Sequence, residues 1–195
     1  MTDQNKIVAS ETAVLCMDYQ HDIASIIAEK QPEIFKQATE TLQIARGMKM
    51  KVIYISVQFR PGYPEVGVHN KLFAALSQSG RLVMGTPGAQ IHEAVHPQEG
   101  DILISKKRVS AFAGSDLEVV LRANGIRTLV LFGISTSGVV LSTLRQAADM
   151  DFNCYVLRDL CADLDPEVHI CLLDKIFPRQ ADVISSAEFK QRAAL

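Results

Sequence analysis

Residues 128–149 read TLVLFGISTSGVVLSTLRQAAD, and this stretch constrains the fold more than any other. Its first part, residues 129–132, is apolar without alternation, as expected of a strand buried on both faces. Gly133 then opens a short hydroxyl-rich turn, after which apolar residues recur at helical spacing. A strand covered on both faces needs helices above and below it, so the stretch predicts one βα unit of a parallel sheet. In such sheets ligands sit at the carboxyl ends of the strands, where amides opening a helix can face an anion or oxyanion. One wall of an active site is therefore expected at this turn.

The same grammar recurs along the chain. The run Thr12–Met17 ends in Asp18 and is followed by Tyr19-Gln20-His21-Asp22. Asp18 either stands at the carboxyl end of a strand, or caps the next helix or sits solvated in a loop. His21, isolated in sequence, receives no role. Helical spacing holds at Ile23, Ile26, Ile27, Ile34, Ala38, Leu42 and Ala45, broken by Pro32 and stopped by Gly47. A second strand, Lys51–Val57, delivers Gln58-Phe59-Arg60 and then Pro61-Gly62-Tyr63-Pro64. That loop either grips a small planar or carboxylated ligand with its cation and rings, or is a rigid turn with Arg60 solvated.

Residues 66–100 carry the least information: His69, His92 and His96 lack the spacing of a metal site and read as surface histidines. Residues 101–105 form a third strand leading to Lys106-Lys107-Arg108. Three successive cations make a solvated face, unless one turns inward at the strand end. A helix over residues 116–123 has Ser115 as its expected N-cap, and Asn124-Gly125 ends it. Residues 154–157 and 181–184 read as strands on either side of a helix that begins after Pro166. Strand and helix alternate throughout, which predicts an α/β fold with right-handed crossovers.

A chain of 195 residues with 48% hydrophobic content is the size of one large domain, taken here as residues 1–195. A net charge of −2 with acids and bases interspersed argues against nucleic acid or an anionic membrane as a partner. The segment MTDQNK lacks the basic-then-apolar order of a signal peptide, and no apolar run reaches membrane-spanning length, so a cytoplasmic location is expected. The four cysteines show no zinc spacing and read as free thiols.

Three segments, in this order and separation, resemble the isochorismatase-like hydrolases of the cysteine hydrolase superfamily. They are Asp18-Tyr19-Gln20-His21-Asp22, the run from Lys106 to Ser110-Ala111-Phe112, and Gly133-Ile134-Ser135-Thr136 opening a helix. The resemblance spans residues 12–184. It implies a Rossmann-like, three-layer α/β/α sandwich with a six-stranded parallel sheet, assembled as a homodimer or homotetramer. It implies a small-molecule substrate and no cofactor. Many members hydrolyse amides with an Asp, a Lys and a Cys, the thiolate attacking the carbonyl. Asp18 matches the acid and Lys106 the lysine, which makes Lys106 the inward-facing cation. The resemblance also implies a cis peptide between Ile134 and Ser135, with turn amides forming an oxyanion hole.

At the position of the family's cysteine this chain has Val139, which has no nucleophilic atom. The metal-binding Asp-x-His of the nicotinamidase branch is replaced by Gln58-Phe59-Arg60, so no metal is expected. The branch that gives the family its name cleaves a vinyl ether without a thiol, using its Asp as an acid. It carries an aromatic residue in the turn where this chain has Ser135. The leading expectation is a thiol-independent hydrolase of a small metabolite, with Arg60 or Arg108 gripping an anionic group on it. Asp18 handles protons, Lys106 tunes it, and the 135–139 backbone stabilises negative charge. Gln20, Phe59, Arg60, Arg108, Ile134, Ser135 and Thr136 are the expected substrate-binding residues. The alternatives are a non-catalytic binding or assembly protein on the same scaffold, and a cysteine hydrolase with a relocated thiol.

Overall fold

The computed structural model describes residues 7–194, without the side chains of Ile26, Ala28 and Glu29. The segment MTDQNK and the expected core position Ile26 therefore lie outside the described residues and side chains. The apolar runs form β1 (Thr12–Met17), β2 (Lys51–Val57), β3 (Ile102–Lys106), β4 (Thr128–Gly133), β5 (Asn153–Leu157) and β6 (Asp182–Ile184). All pair in parallel, in the order β3-β2-β1-β4-β5-β6. Every residue of β1 is buried, whereas the edge strand β3 leaves Leu103 63% exposed. The lack of alternation in β1 and β4 thus reflects their place in the middle of the sheet.

Between the strands lie α1 (His21–Lys30), α2 (Glu33–Gly47), α3 (Lys71–Gln78), α4 (Leu117–Ala123), α5 (Leu141–Asp149) and α6 (Pro166–Cys171), with α7 (Ser186–Ala193) following β6. Helices cover both faces of the sheet, giving the three-layer α/β/α sandwich. Pro32 separates α1 from α2 because it cannot donate the backbone hydrogen bond that a continuous helix requires. On α2, Ile34, Phe35, Ala38, Thr41, Leu42 and Ala45 are buried, a helical stripe facing the core. Arg46 clamps the far end of α2 to Asp101 with a paired contact at 3.1 and 2.6 Å.

Several local expectations need correction. Residues 66–100 contain α3, whose N-cap Asn70 accepts from the Phe73 amide at 3.2 Å and whose Phe73 is buried. α7 has a capping box, in which Ser185 and Glu188 satisfy each other's amides. The N-cap of α4 is Asp116 rather than Ser115; the Ser115 hydroxyl still accepts from the Leu117 amide at 3.3 Å. The helix after Gly133 opens as a wide turn of π type over Thr136–Val140 before α5 begins.

Among the described residues no helix is long and apolar enough to cross a membrane. The strand order reverses direction between β1 and β4, so their carboxyl ends bound a crevice at the switch point of the sheet.

Candidate active site

Asp18 ends β1 and Lys106 ends β3, with β2 between them. Lys106 Nζ lies 2.9 Å from Asp18 Oδ2, and the two side chains are only 1% and 7% exposed. The ammonium also donates to the Arg108 carbonyl at 3.0 Å. Asp18 adopts a left-handed backbone, φ 57°, a conformation that Asp tolerates better than most residues, and its amide is anchored to the Ile55 carbonyl at 2.8 Å. Its other oxygen, Oδ1, is buried and has no hydrogen-bond partner among the described residues. Burial pushes the Asp18 carboxyl above the ordinary carboxylate range, and the Lys106 charge offsets only part of that rise.

The pair sits in the wall of a cavity of about 280 Å³. The rest of the lining is mainly apolar: Ile23 and Ile27 from α1, Leu72, Phe73 and Leu76 from α3, and Val109, Ile134, Val139 and Leu164 from the loops and turns. Its further charges are Asp22, Arg81 and Asp163. Arg81 Nε is 3.9 Å from Asp22 Oδ1, while Asp22 Oδ2 accepts from the Leu82 amide at 2.9 Å. Burial works to raise Asp163, but hydrogen bonds from the Ser137 amide and from its own loop hold it below the ordinary range. Asp163 is therefore an ionised carboxylate at this cavity.

Asp18, Lys106, Ile134, Ser135 and Val139 are brought together here. Gln20, Phe59, Arg60, Arg108 and Thr136 are not among the lining residues, and each has a different engagement. Gln20 is fully buried; its Nε2 donates to the Val57 and Ala89 carbonyls at 3.0 and 2.7 Å, and its Oε1 accepts from the Val57 amide at 2.8 Å. With those contacts made, its amide is a structural clamp. Phe59 is buried in a small cluster behind the lining residues Val57, Phe73 and Leu82. Arg60 points outward to Glu65 at 2.6 Å, and Arg108 donates to the Lys107 and Glu65 carbonyls. Thr136 is fully buried, its Oγ1 2.8 Å from His169 Nδ1. Lys107 turns away to the Gln58 carbonyl and the Ser105 hydroxyl.

The guanidinium at the cavity is thus that of Arg81, which sequence reasoning missed along with Asp22, Asp163 and α3. The heptapeptide Asn70-Lys71-Leu72-Phe73-Ala74-Ala75-Leu76 held the signal, a capping residue followed by apolar positions four apart. After β2, Gln58, Phe59 and Arg60 supply an amide, a buried ring and a guanidinium, which is not a donor set for a divalent ion.

In the turn, the Ile134–Ser135 peptide is cis. The amides of Thr136, Ser137 and Gly138 are committed to the Ala162 carbonyl, Asp163 Oδ2 and Ser135 respectively. The turn thus has most of its amides already engaged within the fold. No cysteine lines the cavity. Burial pushes the Cys16 thiol well up and those of Cys154 and Cys161 to about 12, so these three stay protonated and inert, while Cys171 is exposed on α6.

Comparison with known proteins places these features in a family. The chain is similar to maleamate amidohydrolase of Pseudomonas putida, 30% identical over 158 residues, covering 80% of this chain and 73% of that protein. It is also similar to a ureidoacrylate amidohydrolase of Rhizobium rhizogenes, 32% identical over 179 residues, covering 81% and 73%. A crystal structure of a cysteine hydrolase from Pseudomonas syringae superposes with a TM-score of 0.87 at 25% identity, covering 95% of this chain and 93% of that one. The model of the isochorismatase domain matches residues 12–188, which contain all six strands and the cavity they carry, and the chain belongs to the isochorismatase family.

Proposed function

We propose that the chain is a hydrolase that works without a thiol, with Asp18 in its protonated form as the acid. The observation that carries this reading is the Asp18 carboxyl itself. One oxygen is held by Lys106, the other is buried without a partner among the described residues, and burial outweighs the lysine in setting its proton affinity. Such a group can donate a proton to an atom of a bound substrate, and Lys106 then stabilises the carboxylate left behind. Water adds to the carbon made electron-poor and its proton returns to Asp18; the adduct then breaks its bond to the ether oxygen, its hydroxyl proton passing to the departing alcohol as the carbonyl forms, so the acid is regenerated and the net reaction is hydrolysis. Val139 places an apolar side chain where an amidase of this superfamily would place its thiol, which favours protonation chemistry over acyl transfer.

The cavity supports a substrate with an apolar body. Its charged lining is nearly balanced, with Asp22 and Asp163 against Arg81 beside the Asp18–Lys106 pair, so a strongly anionic molecule gains little. The test compares parent and Asp18→Asn on an enol ether, with maleamate and ureidoacrylate as amide controls. The parent is expected to hydrolyse the enol ether and leave the amides intact, and Asp18→Asn is expected to lose at least about 100-fold with its fold unchanged. Because the acid must hold its proton, turnover falls as pH rises through the raised Asp18 pKa. Equal rates in parent and variant would reject the reading. A ligand that raises the melting temperature yet stays chemically unchanged would instead identify a binding protein on the same scaffold.

A further inference from the structure

A second group of side chains lies outside the active-site cavity. His21 opens α1, and His92 and Glu93 belong to the segment that precedes β3. An antiparallel bridge, Gln20 with Ile91, holds the two segments together. In it the His21 amide donates to the Gln90 carbonyl at 3.1 Å and the His92 amide to the Tyr19 carbonyl at 2.8 Å. Because Gln20 is itself buried and clamped to Val57 and Ala89, this backbone frame is fixed from behind. The two imidazoles are tilted at 30° with centroids 4.9 Å apart, and the His92 ring packs on Phe35 at 4.5 Å. Glu93 Oε2 is 3.1 Å from His21 Nε2 and 3.9 Å from His92 Nδ1.

One donor atom from each of the three residues falls within 4.8 Å of the other two. Two imidazoles and a carboxylate are the donors that zinc and its neighbours in the d-block prefer. Both half-buried rings keep their positions through packing rather than through solvent, so little ordering is needed for an ion to be held. His21 and Glu93 line a second cavity of about 610 Å³, bounded by Gln58, His96 and Ser105, which leaves room for water to complete the coordination shell. His92 Nδ1 accepts from the Ala94 amide at 3.2 Å, and this bond is the one an ion would displace.

We propose that His21, His92 and Glu93 form a binding site for a single divalent d-block cation, Zn²⁺ being the type case, which ties the start of α1 to the segment before β3. The position is distinct from the loop after β2, and the proposal stands independently of how Asp18 works. An ion there would brace the Tyr19-Gln20 link that runs directly from Asp18 into α1.

Full-length protein, freed of metal with a chelator and carrying Cys171→Ser to remove the exposed thiol, is titrated with ZnCl₂ by calorimetry and with CoCl₂ by visible absorption. The expected result is one saturable equivalent, visible bands of a nitrogen- and oxygen-ligated Co²⁺, and a melting temperature raised by Zn²⁺. His21→Gln and His92→Gln are expected to weaken binding by at least about 30-fold. His69→Gln, on an exposed residue outside the cluster, is expected to bind as the parent does. Circular dichroism shows whether each variant is folded, and Glu93→Gln provides a third variant whose exposed side chain carries little folding risk. Absence of saturable binding would overturn the proposal and leave a His21–Glu93 side-chain contact only. Unchanged affinity in the folded cluster variants would overturn it as well, by assigning the ion to an adventitious surface site.

Discussion

Replacing Val139 by cysteine, in a Cys171→Ser background, asks whether the cavity still holds the electrostatics that would activate a thiol. Val139 is 2% exposed and its Cγ1 lies 3.2 Å from where a Cβ on Gly133 would stand, so the side chain is tightly packed. Trading its branched methyls for a thiol is expected to cost about 1 kcal/mol, or a fall of about 2–4 °C in melting temperature. Two influences then act on the new thiol. Burial raises thiols elsewhere in this chain, to about 12 at Cys161, whereas Lys106 shares the cavity with residue 139 and stabilises a thiolate. If the lysine prevails and brings the thiol to about 7, its ionised fraction at neutral pH rises from about 3% to about half. A less basic thiolate is also a weaker nucleophile, so the absolute rate changes little and the informative quantity is the pH midpoint of alkylation. That midpoint is measured by iodoacetamide labelling and mass spectrometry, and is expected near 7. A midpoint at or above about 8.5, the value of a free cysteine, would refute the reasoning that the pair in this cavity can serve a nucleophile at position 139.

Two further substitutions test how the site is held. Among the described residues Lys106 is the one side-chain partner of Asp18, and Lys106→Met is expected to cost about 3 kcal/mol in urea unfolding at a pH where Asp18 is ionised. Because the folded Asp18 pKa lies above its unfolded value, the folded state gains its proton first. The deficit should therefore shrink as the pH is lowered toward that of an ordinary carboxylate; an equal deficit at pH 5 and pH 7 would contradict it. Gly133→Ala would put a Cβ 2.6 Å from the Met17 carbonyl oxygen and 2.9 Å from Met17 Cβ, so β1 and β4 must move apart. A loss of about 3 kcal/mol is expected, and a melting temperature within a degree of the parent's would show that the two strands can give.

The strands were legible because each apolar run is short, β-branched and bounded by polar residues, and because burial on both faces removes the alternation that an exposed sheet would show. Asp18 and Lys106 were legible for a related reason. Strand ends in this topology converge, and the resemblance of three motifs to the isochorismatase-like hydrolases marked which end residues to expect there. What failed was extrapolation from sequence neighbours. Arg108 stands two residues after Lys106, yet the backbone bends once β3 ends and its guanidinium reaches the Lys107 and Glu65 carbonyls. Gln20 stands near Asp18 but faces the backbone of β2. Arg81, Asp163 and His169 reach the site or its turn only through packing between distant segments, which no local pattern records. His21 and His92 illustrate the same limit, since only the bridge at Gln20 brings them side by side.

The strand order has a topological consequence. β1, β2 and β3 come from the first part of the chain and β4, β5 and β6 from the second, so among the described residues β1 against β4 is the ladder that joins the two halves of the sheet. The chain crosses from one half to the other near Asn124 and Gly125, both exposed. Asp18 and Lys106 belong to the first half and the turn at Ser135–Val139 to the second, so neither half owns the site. The seam between them functions as an interface inside one polypeptide. Gly133, whose missing side chain lets the two strands approach, sits on that seam and holds a composite site closed.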